Sequence, residues 1–135
     1  MNKHGLVIIA IFLGGALGTL FRYFINMQVV DLLFPLGTVM ENIAGSFLLG
    51  ALTAYILVKK VNPIIKEGLG VGFCGGFTTM STLAADTVFL STESSMISLV
   101  IYITLSLFGG ITAAYLGMGL STVMLKKAVK AGDIE

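Results

Sequence analysis

Residues 72–82 of this chain read GFCGGFTTMST, a run of glycine, threonine and serine inside an otherwise apolar stretch. Such a run makes a poor continuous helix, because glycine and β-branched threonine both lower helix stability. Backbone groups in lipid must be hydrogen-bonded within the protein, so irregular backbone is tolerated only where it is buried or lines water. We therefore predict a spanning helix that is broken at residues 75–79. A plain kink at the glycines is the alternative.

The apolar stretches around this run have the length of membrane-spanning helices. A helix needs about 20 mostly apolar residues to cross a bilayer. Four stretches meet that requirement, at about residues 5–28, 37–58, 64–90 and 96–125. The connections are short, at residues 29–36, 59–63 and 91–95. We expect an all-α membrane protein with four transmembrane helices, the third of them broken, in a single transmembrane domain over residues 1–135.

The composition excludes most soluble functions. Hydrophobic residues make up 56% of the chain and charged residues 11%, whereas soluble domains carry about 25% charged residues. The net charge of +1 provides no basic field for nucleic acid. One cysteine, Cys74, and one histidine, His4, offer no Cys/His metal site. The sequence shows no catalytic triad or carboxylate pair, and Gly75-Gly76 lacks the lysine of a phosphate-binding loop, so we expect no enzyme.

Small residues recur every four positions in three rows. The rows are Gly14 and Gly18; Gly68, Gly72 and Gly76; and Gly109, Ala113 and Gly117. Small residues at this spacing let helix backbones approach closely in a membrane. Four helices of this length enclose little volume on their own, so we also expect the chain to form an oligomer.

The basic residues predict the orientation of the chain in the membrane. All lysines fall on the side that the two termini share with the middle loop, and they are Lys3, Lys59, Lys60, Lys66, Lys126, Lys127 and Lys130. The opposite loops contain none, and only Arg22, inside the first helix, lies towards that side. Lysine and arginine in short loops favour the cytoplasmic face. We predict a multi-pass protein of the cell membrane with both termini in the cytoplasm.

Two polar stripes cross the predicted helices. Asn42 lies on one face of the second helix, with Thr38 four residues before it and Ser46 four residues after it. A second stripe with the same spacing lies on the last helix and consists of Tyr102, Ser106 and Gly110. Each stripe could hydrogen-bond a neighbouring helix, or it could line an anion path, because neutral N–H and O–H donors replace part of a hydration shell. Two stripes beside a broken helix favour a pore.

Three ionisable residues, Arg22, Glu41 and Asp86, lie inside the predicted spans. Such groups are costly in lipid and are functional hypotheses by default. Arg22 and Asp86 lie near predicted helix ends, where a long side chain can instead extend to the interface. Glu41 lies about one turn inside its helix, and its role stays open.

At these residues the chain resembles the CrcB, or Fluc, family of fluoride channels. The family's first-helix pattern, a glycine-rich run ending in an arginine, corresponds to residues 14–22. Its second-helix pattern, Gly-Thr followed by a pore asparagine, corresponds to residues 37–42, and its third-helix signature to residues 72–82. The match covers nearly the whole chain in helix order and length. The resemblance implies an antiparallel, dual-topology dimer with two pores, through which fluoride leaves the cytoplasm passively and its toxicity is lowered.

The resemblance also implies roles for individual residues. The anion path consists of Asn42 as the pore amide together with Thr38, Ser81, Thr82, Tyr102, Ser106, Met80 and Leu83. The backbone carbonyls of Gly75 and Thr78 hold a structural sodium ion at the centre of the dimer. Arg22 has a structural role.

The chain departs from the family pattern in its third helix. The family usually carries two phenylalanines three residues apart, whose positive ring edges can face an anion. This chain has Met80 and Leu83 instead, and Gly110 stands where a serine is frequent. Glu41, just before the pore amide, is also unusual and could repel an anion if it faces the path.

The lysine distribution bears on the dimer. Two identical chains inserted in opposite orientations need nearly balanced loops, because one sequence must insert both ways. The loops of this chain are strongly biased, which favours one fixed topology. We therefore expect a heterodimer with an oppositely oriented homologous subunit, which supplies the missing phenylalanines to at least one pore. A homodimer is the alternative if methionine and leucine suffice.

Two other function classes stay open. A proton-coupled exporter of small cations, of the small multidrug type, has a similar size and centres on a membrane glutamate, for which Glu41 is the one deep acid. Such exporters rely on aromatic residues, often tryptophan, and this chain has none. A non-conducting structural subunit of a heterodimeric channel would only support the pore of its partner.

Overall fold

The computed structural model describes residues 2–29 and 34–131, so part of the predicted connection at residues 29–36 lies outside the described residues. Six α-helical segments occur in these ranges, and they are α1 (Lys3–Gln28), α2 (Leu36–Val58), α3 (Pro63–Glu67), α4 (Gly75–Phe77), α5 (Met80–Glu93) and α6 (Met96–Ala131). A π-helical segment, Gly68–Cys74, joins α3 to α4. These ranges contain no β-strand, which confirms the all-α class.

Three helices of the described chain are long and apolar enough to cross a membrane. They are α1, α2 and the part of α6 from Met96 to Lys130. The region around residues 64–90, which we predicted as a further span, is divided among α3, the π-helical segment, α4 and α5. No single helix in that region reaches the length of a span, because the backbone leaves the helical conformation after Phe77.

The interruption after Phe77 follows from two extended threonines. Thr78 has φ −77° and ψ 153°, and Thr79 has φ −147° and ψ 123°. The Thr79 hydroxyl then accepts a hydrogen bond of 3.1 Å from the backbone N–H of Thr82. This is the geometry of a helix N-cap, which satisfies one of the free N–H groups at the start of α5.

Helix α1 packs in parallel against the π-helical segment and α4 along the glycine rows. A Cβ on Gly14 would collide with the carbonyl oxygen of Gly68. A Cβ on Gly18 would lie 2.8 Å from the backbone nitrogen of Phe77 and would collide with a carbonyl of the preceding turn. Backbone therefore packs directly on backbone here, as the spacing of small residues predicted.

Helices α2 and α6 form a second parallel pair. A Cβ on Gly110 would lie 3.4 Å from Oγ of Ser46, and one turn further along a Cβ on Gly50 would collide with the carbonyl oxygen of Ala114. The third glycine row belongs to this contact, since Gly117 lies against the Phe47 carbonyl. The protein is thus built from two pairs of closely packed, parallel segments.

The parallel pairing gathers the basic residues at one end of the molecule. Lys3 at the start of α1 and Lys60 after α2 line the same cavity. Lys59 follows the last residue of α2, and the C-terminal turns of α6, which carry the lysines at residues 126–130, extend beyond that same end.

Large apolar side chains cover much of the outer surface of the helices. Phe12 on α1 is 75% exposed, and Tyr115 on α6 is 71% exposed. The fully buried core is small and centres on Val39, Leu90 and Tyr102. Apolar faces of this extent are expected to contact lipid or another subunit, because soluble monomers rarely expose them.

Candidate functional site

Asn42 holds the interruption after Phe77 in place. Its Nδ2 donates to the carbonyl oxygen of Thr79 at 3.1 Å, and its Oδ1 accepts from the backbone N–H of Thr79 at 2.7 Å. One side-chain amide thus satisfies both backbone groups of a residue that has left the helix, which a membrane interior requires. An asparagine amide has two N–H donors, so one N–H of the Asn42 side chain takes part in neither of these bonds.

Hydroxyl groups extend this network towards α1. The Thr79 hydroxyl donates to Oγ1 of Thr82 at 2.9 Å and lies 3.3 Å from Oγ of Ser81. Nη1 of Arg22 donates to Oγ1 of Thr82 at 3.3 Å. Arg22 therefore connects α1 to the first turn of α5, and Asn42 connects α2 to the same turn.

A groove of about 290 Å³ lies beside the interruption, between α2 and α6. The predicted path residues that line it are Asn42, Met80, Leu83 and Ser106, and Thr78, Ser46 and Gly110 also contribute. The Ser106 side chain is buried, and its Oγ has no hydrogen-bond partner in the described part of the chain. Met80 is 70% exposed, so the groove opens to the outside of the chain on that side.

Thr38 and Tyr102 lie apart from this groove, in a buried cluster around Asp86. Oδ2 of Asp86 accepts from the Thr38 hydroxyl at 2.7 Å and from the Tyr102 hydroxyl at 2.8 Å. Both donors are almost completely buried. This carboxyl therefore joins α2, α5 and α6, and both hydroxyl hydrogens are engaged within the chain.

Glu41 is completely buried next to this cluster. Arg22, Asn26 and Asp86 are its polar neighbours. Glu41 is absent from the residues that line the groove, so in this chain its carboxyl does not face the space that Asn42 and Ser106 share.

The carbonyl oxygens of Gly75 and Thr78 accept no hydrogen bond within the described ranges. The Thr79 N–H, which a continuous helix would direct to Gly75, instead donates to Asn42. The Thr82 N–H, which would pair with Thr78, donates to the Thr79 hydroxyl. Both carbonyls are thus hard oxygen donors left over by the interruption, and such oxygens suit a small cation.

The structure therefore brings the predicted path residues together in two groups. Asn42, Met80, Leu83 and Ser106 share the groove, whereas Thr38 and Tyr102 surround Asp86. Ser81 and Thr82 belong to the hydroxyl network of the first turn of α5 rather than to the groove lining.

Sequence reasoning assigned no role to Asp86 as the common acceptor of these hydroxyls. The sequence offered no local signal for this role, because Thr38 and Tyr102 lie on other helices than Asp86. Asn26 was also missed. Its Nδ2 donates to the carbonyl of Arg22 at 3.2 Å, and it lies against Gly37 at the start of α2.

Comparison with known proteins gives a family match over most of the chain. The family model described as "CrcB-like protein, Camphor Resistance (CrcB)" matches residues 9–118. A protein of Halalkalibacterium halodurans named fluoride-specific ion channel FluC 2 is 56% identical over 110 residues, which are 82% of this chain and 81% of that protein.

Two further relatives carry related names. The fluoride-specific ion channel FluC 2 of Bacillus subtilis is 44% identical over 109 residues, which are 81% of this chain and 82% of the relative. The fluoride-specific ion channel FluC 1 of Bacillus anthracis is 37% identical over 132 residues, which are 95% of this chain and 96% of the relative. The chain is thus similar to proteins of both names.

Proposed function

The chain belongs to the CrcB-like family, and from this membership we propose that it is a fluoride-specific ion channel, or one subunit of such a channel. It is a multi-pass membrane protein and not an enzyme. Fluoride leaves the cytoplasm down its own gradient, and its toxicity is lowered without any covalent step.

The observation that carries this proposal is the groove with uncharged donors beside the interruption. Ser106 presents a buried hydroxyl without a partner in the described chain, and Asn42 keeps one amide N–H. A small anion that leaves water needs such donors to replace its hydration shell. Neutral donors hold it weakly enough for release, whereas a full positive charge would retain it.

The open side of the groove supports a dimer. Met80, which stands where the family usually has phenylalanine, faces outward at 70% exposure. A second subunit packed on this side closes the groove and places its own side chains opposite Met80 and Leu83. We propose an antiparallel arrangement in which an oppositely oriented homologous subunit supplies aromatic ring edges there.

The distribution of lysines supports a fixed orientation for this chain. All of its lysines occur towards one end of the parallel helix pairs, which favours a topology with both termini in the cytoplasm. An oppositely oriented partner then needs the reverse charge bias. A heterodimer meets that need, and the homodimer is the alternative that the first experiment addresses.

The first prediction concerns fluoride efflux from liposomes, measured with a fluoride electrode. We expect passive fluoride release that excludes chloride when the chain is reconstituted together with an oppositely biased homologue. The chain alone is expected to release fluoride much more slowly. Fast release by the chain alone would reject a required partner while supporting the channel.

The same measurement separates the channel from the two other classes. Fluoride release that is absent in both preparations would reject the channel in favour of a small-cation exporter. Proton-coupled dye transport, abolished by Glu41→Gln, would then be the supporting result. A structural, non-conducting subunit is rejected if variants of its own groove change the flux of the mixed dimer.

We further propose that the carbonyls of Gly75 and Thr78 hold a structural sodium ion. Their lack of hydrogen bonds in the described chain supports this role, because a backbone carbonyl inside a membrane protein needs a partner. Two carbonyls form an incomplete shell for a cation, so the equivalent carbonyls of a second subunit complete it at the centre of the dimer. Sodium supplies no chemistry of its own there and only joins the subunits.

The second prediction follows from this sodium site. Exchange of sodium for N-methylglucamine during purification is expected to lower the thermal unfolding midpoint of the dimer and to slow fluoride efflux. Adding sodium back should restore both the unfolding midpoint and the efflux rate, because an ion that binds only the folded dimer stabilises it by mass action. Equal midpoints in the two buffers would contradict the site while leaving the channel proposal intact.

A further inference from the structure

A cavity of about 540 Å³ lies at the lysine-rich end of the molecule, between the first turns of α1 and the connection from α2 to α3. Lys3 and Lys60 line it from opposite segments of the chain. Leu6 and Val7 of α1 and Ile64 of α3 provide apolar walls. The cavity therefore combines two ammonium groups with a hydrocarbon surface.

The backbone that forms this cavity is well defined. Oδ1 of Asn62 accepts from the N–H of Ile64 at 3.0 Å, and the carbonyl of Asn62 accepts from the N–H of Lys66 at 3.0 Å. Pro63 occupies the first position of α3, where its fixed φ angle suits the start of a helix. The connection is thus held in one conformation beside α1, and the cavity does not depend on a loose loop.

The two lysines are not engaged within the described chain. Both side chains are exposed, and neither side chain forms an ion pair or hydrogen bond with another described residue. Lys66, by contrast, forms an ion pair in which its Nζ lies 3.4 Å from Oε1 of Glu67. Lys3 and Lys60 are therefore free to pair with an external anion.

The position of the cavity indicates which anion fits. Lys3 begins α1 and Lys60 follows α2, so both ammonium groups lie where spanning helices leave the hydrocarbon for the headgroup layer. A basic pocket between spanning helices at that depth is suited to a phospholipid headgroup. A free inorganic anion would use the lysines but would leave the walls of Leu6, Val7 and Ile64 uncovered.

We propose that this cavity binds one anionic phospholipid. Lys3 and Lys60 contact its phosphate, and the apolar walls contact the upper part of an acyl chain. The site is separate from the groove beside Asn42, and its existence does not depend on fluoride conduction. It holds the start of α1 against the α2–α3 connection by bridging the two segments.

The test measures lipid binding to the purified protein, in its native assembly, by mass spectrometry that preserves bound lipids. Phosphatidylglycerol, phosphatidylcholine with the same acyl chains, and inorganic phosphate are added in turn. We expect one tightly bound phosphatidylglycerol, weak binding of phosphatidylcholine, and no competition by inorganic phosphate. Because each lysine near an anionic headgroup contributes about fivefold in affinity, Lys3→Gln with Lys60→Gln is expected to weaken phosphatidylglycerol binding by at least about tenfold.

The matched control carries the same change of charge at the same end of the molecule. Lys126→Gln with Lys127→Gln removes two lysines that do not line the cavity, and its affinity should stay near that of the unaltered protein. A third variant, Val7→Trp, fills the cavity without changing the charge and should also weaken binding. Equal weakening by both lysine pairs would overturn the proposal in favour of a diffuse basic surface, and competition by phosphate would overturn it in favour of a simple anion site.

Discussion

Replacement of Asn42 by leucine is expected to reduce fluoride flux by at least about 10- to 100-fold, because one lost hydrogen bond to a charged group corresponds to that factor. The same change should destabilise the protein by about 2–6 kcal/mol, since the N–H and C=O of Thr79 each lose their partner and an unsatisfied buried group costs about 1–3 kcal/mol. The two effects have different origins. The flux depends on the amide N–H of Asn42 that does not bond to Thr79, whereas the stability depends on the two hydrogen bonds between Asn42 and Thr79. Efflux from liposomes and chemical unfolding measure them separately.

Ser106→Ala is the control that separates conduction from folding. The Ser106 hydroxyl has no hydrogen-bond partner in the described chain, so its removal breaks no internal bond. We expect reduced flux with little change in stability. Flux near the original rate for Asn42→Leu in a folded mixed dimer would show that the groove of this chain does not conduct.

Gly18→Ala is expected to cause a large loss of stability. The new Cβ would collide with a carbonyl oxygen and lie 2.8 Å from the backbone nitrogen of Phe77. Neither atom belongs to a flexible side chain, so α1 must move away from the π-helical segment. Overpacking of this kind costs about 1–3 kcal/mol and occasionally more, and we expect the upper part of that range.

Gly119→Ala is the matched control, because a Cβ on Gly119 meets no atom within 4 Å. Alanine stabilises a helix by about 1 kcal/mol relative to glycine, so this variant should be as stable as the unaltered protein or slightly more stable. Thermal unfolding in detergent compares the two. A Gly18→Ala protein with an unchanged midpoint would contradict the close backbone contact between α1 and the segment before Phe77.

Much of the architecture could be predicted because it depends on local physical chemistry. Long apolar stretches predicted the helices, because a backbone in lipid can form hydrogen bonds only within the protein. The four-residue spacing of glycine predicted close contacts, and Gly14 and Gly18 make them. The run at residues 72–82 marked the place where helical backbone is weakest, and Thr78 and Thr79 are extended there.

The grouping of the polar residues could not be predicted in the same way. Spacing along a helix places Thr38 and Asn42 on one face, but it does not determine which neighbour each meets. In the fold, Thr38 donates to Asp86 and Asn42 pairs with Thr79. Asp86 was read as a residue near a helix end, because only the position of α5 relative to α2 and α6 makes it a common acceptor.

The sequence by itself determined the all-helical class, the apolar character of the helices and the family. Each of these depends on composition and on short-range spacing, which are properties of a single segment. Only the tertiary structure decided that Ser106 stays without a partner, that Tyr102 is engaged by Asp86, and that Lys3 and Lys60 share a cavity. These depend on where separate segments meet, and the parallel packing of glycine-rich backbones sets that register through contacts between residues far apart in the chain.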